Sequence, residues 1–251
     1  MPKLDRDGVA IHYDVQGDGP VVVLTHGYSA STAMWRDNVP ALVAAGYRVL
    51  TWDMRGHGQS ASPDAQNLYS AELTVGDMDA LLDVVGADKA VIGGMSLGGY
   101  MSLAYHLGHP ERVRALMLID TGPGFKSDAA RETWNARARS RADDLEVRGE
   151  AALSKSREAH LQAQDFNGLA RAARGMLAQE NANAITSLPG IKVPRLVVVG
   201  DRDEPFLAAS DYMTTKIPGA RKVTISDAGH ASNVDQPDQF NAAVIAFLKA
   251  I

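Results

Sequence analysis

A chain of 251 residues is long enough to bury a large core and can form one α/β domain or two small ones. Its 45% apolar and 22% charged residues are ordinary for a soluble globular protein, and a net charge of -5 disfavours nucleic acid or an anionic membrane surface as the main partner. The absence of cysteine excludes disulfides, thiolate metal sites and a cysteine nucleophile. The first residues, Met1 to Asp7, lack the apolar core of a signal peptide, and no apolar run approaches the ~20 residues of a membrane helix. The expectation is a soluble, cytoplasmic protein.

Lys3-Leu4-Asp5 and the alternating stretch Val9 to Val15 read as a hairpin across Asp7-Gly8. Val21 to Thr25 is a continuous apolar run, fit for a parallel strand buried on both faces. After His26-Gly27-Tyr28, the segment from Met34 to Ala45 predicts a helix stopped by Gly46. Arg48 to Trp52 is the next strand, followed by the loop Asp53-Met54-Arg55-Gly56-His57-Gly58-Gln59-Ser60. Glu72 to Val85 predicts a helix with Leu73, Met78, Leu81, Leu82 and Val85 close to one face. Ala90-Val91-Ile92 leads into Gly93-Gly94-Met95-Ser96-Leu97-Gly98-Gly99 and then a buried helix, and Val113 to Ile119 is a further strand. This rhythm implies an open, mostly parallel sheet with helices on both faces. It breaks at Asp120-Thr121-Gly122-Pro123-Gly124. From about Lys126 to Thr186 there is no convincing strand, and the segment reads as helices inserted between strands. Strand signals resume at Val193 to Gly200 and Lys222 to Ile225, and Asp238 to Lys249 predicts a last helix.

Strand, glycine-flanked serine and helix is the context of a nucleophile elbow, where the backbone is strained and only very small residues fit two positions to either side. An acyl-transfer serine needs a base, an acid that orients it, and donors for the oxyanion. Downstream, His230 follows the last strand. Asp201, Asp203 and Glu204 stand at the carboxyl end of the strand before it and are the candidate acids.

The order Ser96, Asp203, His230 is that of the α/β-hydrolase triad. The ordered set His26-Gly27, Asp53-x-Arg55-Gly56-x-Gly58-x-Ser60, Gly94-x-Ser96-x-Gly98, Gly200-Asp201-x-Asp203 and Gly229-His230 resembles the α/β-hydrolase-fold serine hydrolases over nearly the whole chain. The likeness is to the bacterial esterase, non-haem haloperoxidase and carbon–carbon hydrolase branch. It implies an eight-stranded sheet with a helical cap inserted after the sixth strand. The core is then residues 1–124 and 190–251, and the cap residues 125–189. It further implies Ser96 as nucleophile, His230 as base and Asp203 as acid, ahead of Asp201, which suits a local turn bond. The oxyanion donors are the backbone N–H groups of Leu97 and Tyr28. Met95, Trp35, Phe125 and Trp134 are candidates for lining the substrate cavity, with simple core packing the alternative for each.

His26 and His57 are better explained by their turns than by chemistry. Gly56-x-Gly58 lacks the following helix and the acidic residue of a dinucleotide site, and no metal-ligand spacing or phosphate-binding loop occurs. The Arg137-x-Arg139-x-Arg141 run reads as a solvated helix face rather than an anion clamp. The expected function is therefore a cofactor-free hydrolase of small carboxylic esters, with no partner other than that small molecule and no indication of oligomeric state. Lactonase, perhydrolase and carbon–carbon hydrolase activities use the same triad. A serine at the elbow argues against epoxide hydrolases and haloalkane dehalogenases, which have aspartate there. A triad-retaining ligand sensor is the alternative from another class.

Overall fold

Asp7 and Gly8 both take positive φ, 54° and 84°, so the chain reverses in two residues and β1 (Lys3–Arg6) pairs antiparallel with β2 (Val9–Gln16). The computed structural model describes residues 2–153, 159 and 165–251. Six further strands follow: β3 (Val21–Thr25), β4 (Arg48–Trp52), β5 (Ala90–Met95), β6 (Val113–Ile119), β7 (Arg195–Gly200) and β8 (Arg221–Ile225). The eight form one open sheet in the order β1-β2-β4-β3-β5-β6-β7-β8, antiparallel up to the β2–β4 pair and parallel from there on. Strand order reverses at β3, with β4 on one side and β5 on the other. In such sheets the crevice outside the carboxyl ends at the reversal is where ligands bind.

The side-chain period of two sorts each buried strand onto two cores. Val21 and Val23 face one layer with α2 (Ala71–Val84), α3 (Leu97–Gly108) and α7 (Glu204–Lys216). Val22 and Leu24 face the other, with α1 (Val39–Ala44) and α9 (Pro237–Leu248). The β4 loop is fixed to α2 by a bidentate pair between Arg55 and Asp77 at 2.7 and 2.9 Å. Both residues are buried, and Arg6 adds a bond to the same carboxylate at 3.1 Å. The expected helix over Met34 to Ala45 is two pieces: a 3-10 turn (Thr32–Trp35) capped by Ser31, then α1 starting at Val39. Pro40 has no N–H to offer a preceding turn, so it sits at the start of a helix and divides the segment.

Between β6 and β7 the described residues form helices joined by turns and loops, with no strand. The pieces are α4 (Asp128–Arg148), a 3-10 turn (Gly149–Ala152), α5 (Phe166–Ala172), a π turn (Ala173–Leu177) and α6 (Asn183–Ser187). Residues 154–158 and 160–164 of this expected insertion lie outside the described residues. The insertion meets the core backbone to backbone. A Cβ on Gly56 would lie 2.6 Å from the Gly168 carbonyl oxygen, one on Gly168 would lie 3.0 Å from the Gly56 Cα, and one on Gly175 would overlap the Tyr69 carbonyl. Among the described residues no helix is long and apolar enough to cross a membrane.

Candidate active site

At the end of β5 the chain turns at Ser96 with φ 52° and ψ −114°, and α3 begins at the next residue. A non-glycine residue persists there only if its neighbours over-determine it. The Ser96 amide donates to the Ile119 carbonyl at 2.9 Å. Its own carbonyl accepts from the Tyr100 amide at 3.1 Å and the Thr121 hydroxyl at 2.6 Å. Gly94 and Gly98 allow the turn to close. A Cβ on Gly94 would overlap the Gly98 carbonyl, and a Cβ on Gly98 would overlap that of Thr25.

His230, in the loop after β8, places Nε2 2.9 Å from Ser96 Oγ and Nδ1 2.9 Å from Asp203 Oδ2. A carboxylate only accepts, so Nδ1 carries the proton and the Nε2 lone pair faces the serine hydroxyl. Asp203 is 3% exposed. It occupies the cap position of α7 but makes no side-chain bond to that helix. Asp201 instead accepts from the Ala228 amide at 3.2 Å and closes the neighbouring turn, while Glu204 is exposed. Phe206, one turn into α7, stacks on the His230 ring at 4.6 Å between centroids.

The histidine loop is anchored from beneath by Asp120, which follows β6 with φ 44° and is fully buried. Its Oδ1 accepts from the Gly200 amide at 2.9 Å. Its Oδ2 accepts from the Ser232 amide at 2.9 Å and the Ser232 hydroxyl at 2.6 Å. Burial pushes the Asp120 carboxyl up to about 7, against the pull of those hydrogen bonds and of His230. One side chain thus joins the ends of β6 and β7 to α8 (Ser232–Asp235).

The Leu97 amide is the first of α3, has no acceptor within its helix and lies at the positive end of the helix dipole. Tyr28 reaches the same place from β3. A Cβ on Gly27 would be 3.4 Å from Ser96 Cβ, so the Tyr28 backbone begins beside the serine. Donors from the ends of adjacent strands β3 and β5 therefore flank Ser96 at the point of strand reversal.

Above them opens a cleft of about 560 Å³ whose lining includes Ser96, His230, Tyr28, Phe125, Trp134 and Phe206. Trp35 and Met95 do not line it. Trp35 is wholly buried against Phe240 at 6.3 Å between ring centroids. Met95 follows the alternation of β5 into the same layer as Val91 and packs under Gly27. Both are core residues.

The arginine run also divides. Arg139 pairs with Glu132 on the outer face, whereas Arg137, still exposed, and the partly buried Arg141 line the cleft. The expectation of a solvated face therefore holds for Arg139 and in part for Arg137 but not for Arg141. His26 donates from Nδ1 to the Gly27 carbonyl at 2.7 Å and accepts the Met54 amide on Nε2 at 3.0 Å. His57 lies 5.0 Å from it, ring to ring. Burial lowers His26 to about 4; burial and the neighbouring His26 lower His57 to about 3. Among the described residues no group of three or more His, Asp or Glu could hold a metal ion.

Asp120, Thr121 and Phe206 were not reachable as site residues from motifs; of these only Asp120 left a trace, as an acid directly after an apolar strand where the strand–helix rhythm breaks. The two cleft arginines were visible as part of a run, but not as cleft residues.

A model of the alpha/beta hydrolase fold matches residues 20–166. Bifunctional epoxide hydrolase 2 of Sus scrofa is 41% identical over 118 residues, 47% of this chain and 21% of that protein, so the match spans about a fifth of the relative's length. A putative 2-succinyl-6-hydroxy-2,4-cyclohexadiene-1-carboxylate synthase of Bacillus subtilis (strain 168) is 29% identical and aligns over 98% of this chain and 97% of its own. Among solved structures, the enol-lactonase from Burkholderia xenovorans LB400 superposes with a TM-score of 0.80 at 28% identity, covering 99% of this chain and 100% of its own. The sheet order, the insertion after the sixth strand and the matching family model agree, and the chain belongs to the alpha/beta hydrolase fold family.

Proposed function

We propose that the protein is a serine hydrolase of carboxylic esters. The observation that carries this reading is the continuous relay from Ser96 Oγ through the His230 ring to Asp203, with both contacts at 2.9 Å. In this reading His230 Nε2 takes the serine proton as Oγ attacks the acyl carbon, and the imidazolium that forms is held by Asp203. The Leu97 and Tyr28 amides receive the oxyanion. Collapse of the tetrahedral intermediate returns the proton to the leaving alkoxide and leaves an acyl-serine, which water, activated by the same histidine, hydrolyses. Residues 125–189 act as the cap that bounds the acyl and alcohol pockets.

The epoxide hydrolase likeness does not extend to that chemistry at Ser96. Opening an epoxide with a hydroxyl would leave an ether, which water does not cleave under these conditions, whereas a carboxylate nucleophile leaves a hydrolysable ester. A lactone is an ester closed on itself, and the full-length likeness to an enol-lactonase favours lactones as a second substrate class for the same machinery.

The test is turnover of short 4-nitrophenyl esters by the protein and by Ser96→Ala. The variant should lose about four orders of magnitude or more in kcat while keeping its thermal transition. Stoichiometric phosphonylation should map to Ser96 by peptide mass. Ester turnover undiminished in Ser96→Ala sinks the assignment.

A further inference from the structure

We propose that the substrate carries a carboxylate in addition to the bond that is cleaved, and that Arg141 and Arg137 of α4 receive it. The proposal deepens the ester-hydrolase reading and rests on it for the cleavage step, but not for the binding of the anion.

The arginines of α4 fall into two groups. Arg131, Arg139 and Arg148 are each ion-paired to an acid on their own helix, Asp128, Glu132 and Asp144. Beside them, Arg174 is held by Asp143 and Glu146. Arg137 and Arg141 have no ion pair with any described residue, and they are the two that line the cleft containing Ser96. With Trp134 they recur at the three- and four-residue spacing of one helix face, which the sequence alone could not orient. Arg141 is drawn well inside. Its Nε is buried without an acceptor, and its guanidinium carbon stands 5.5 Å from the centre of the Tyr28 ring.

A buried guanidinium nitrogen without an acceptor is costly, and the aromatic face beside it offsets only part of that cost. The described lining supplies no relief: none of the described residues lining the cleft is Asp or Glu. Two cations without an acid, in a chain whose net charge is -5, give this one cavity a local sign opposite to that of the molecule. A guanidinium fork matches a carboxylate in shape and charge, so an anionic substrate arm completes what the fold leaves open. Phe125, Trp134 and Phe206 add apolar surface to the lining, which suits the carbon skeleton between the two ends.

Two matched pairs of esters test this. In one, the charge is on the acyl half: 4-nitrophenyl hydrogen adipate against its methyl ester. In the other it is on the leaving group: 4-acetoxybenzoate against its methyl ester, followed by acetate release. At low salt, kcat/KM should favour the anion by about tenfold or more in at least one pair, mainly through KM. The preference should shrink with ionic strength. Arg141→Leu should abolish the preference, read as the ratio of anionic to neutral kcat/KM within the variant, Arg141→Lys should keep part of it, and Arg137→Leu should reduce it less. If neutral esters turn over and neither pair shows a preference, the proposal is overturned while the hydrolase reading stands. If no ester turns over, the hydrolase reading falls and the anion site is judged by binding. Millimolar adipate should then raise the thermal transition of the protein and of Ser96→Ala but not of Arg141→Leu, and no shift in the first two overturns the proposal.

Discussion

Asp203 stands where an aspartate would ordinarily cap a helix, yet its carboxylate turns away from α7 and toward His230. Asparagine in its place keeps the shape but presents a mixed donor and acceptor to Nδ1. The histidine is then free to take the wrong tautomer. Asp203→Asn should lower kcat/KM on esters by about three to four orders of magnitude. Asp201→Asn, which touches only the turn amide of Ala228, should cost less than about tenfold. The reverse ranking in steady-state kinetics would move the acid role to Asp201. Ser96 could be named from its glycine-flanked turn, and Asp203 and His230 from the order of motifs that resembles the α/β-hydrolase pattern. Trp35 and Met95 could not be placed that way. Whether a large apolar side chain at a strand end or in the turn beyond it faces a cleft or a core depends on which side of the sheet it falls. The answer here was the α1–α9 layer. Arg137 and Arg141 posed the converse difficulty: their spacing was visible, but the direction of their helix face is set by how α4 docks.

At the level of elements, the β5–Ser96–α3 unit depends on the absence of two side chains. Gly98 is pressed against the carbonyl end of β3, and backbone there has no room to yield. Gly98→Ala should therefore destabilise the fold by at least about 1–3 kcal/mol and lower ester turnover in the fraction that folds. Denaturant unfolding together with active-site titration checks this, and a variant as stable and active as the parent would contradict it. Most of the parallel strands were legible as short apolar runs, such as Val21–Thr25 and Val113–Ile119, and the hairpin because Asp7-Gly8 tolerates two positive φ values. The helix over Met34 to Ala45 was misjudged because its apolar pattern continues through Pro40, where the missing N–H starts a new helix. Boundaries within α4 to α6 were out of reach for another reason: these helices bury small residues such as Ala138, Ala142 and Ala170, which leave a faint apolar stripe.

For the molecule as a whole, the buried pair His26 and His57 makes stability sensitive to acid. Their folded values, lowered to about 4 and about 3, lie below that of an unfolded histidine. Folding therefore favours the neutral rings, and the stability they contribute is complete above about pH 6.5. It is lost as pH falls, because the unfolded chain takes up protons that the native rings refuse, at about 1.4 kcal/mol per pH unit for each ring. Asp120 acts in the opposite sense, its folded value being raised. Comparing His57→Gln with the parent isolates the histidine contribution. Urea unfolding between about pH 4.5 and 6.5 should give a shallower loss for the variant by one ring's share, and parallel curves would refute it. The glycine-to-glycine meeting of Gly56 with Gly168 bears on how such a molecule diverges. Its two sides form a lock with matched halves, so an inserted segment borrowed from another chain seats only if it brings a bare backbone to the same spot. Change in substrate range is thereby channelled into the cleft face of α4, where Arg137 is exposed and has no ion pair with any described residue, while the α5 side stays tied to the core it was fitted to.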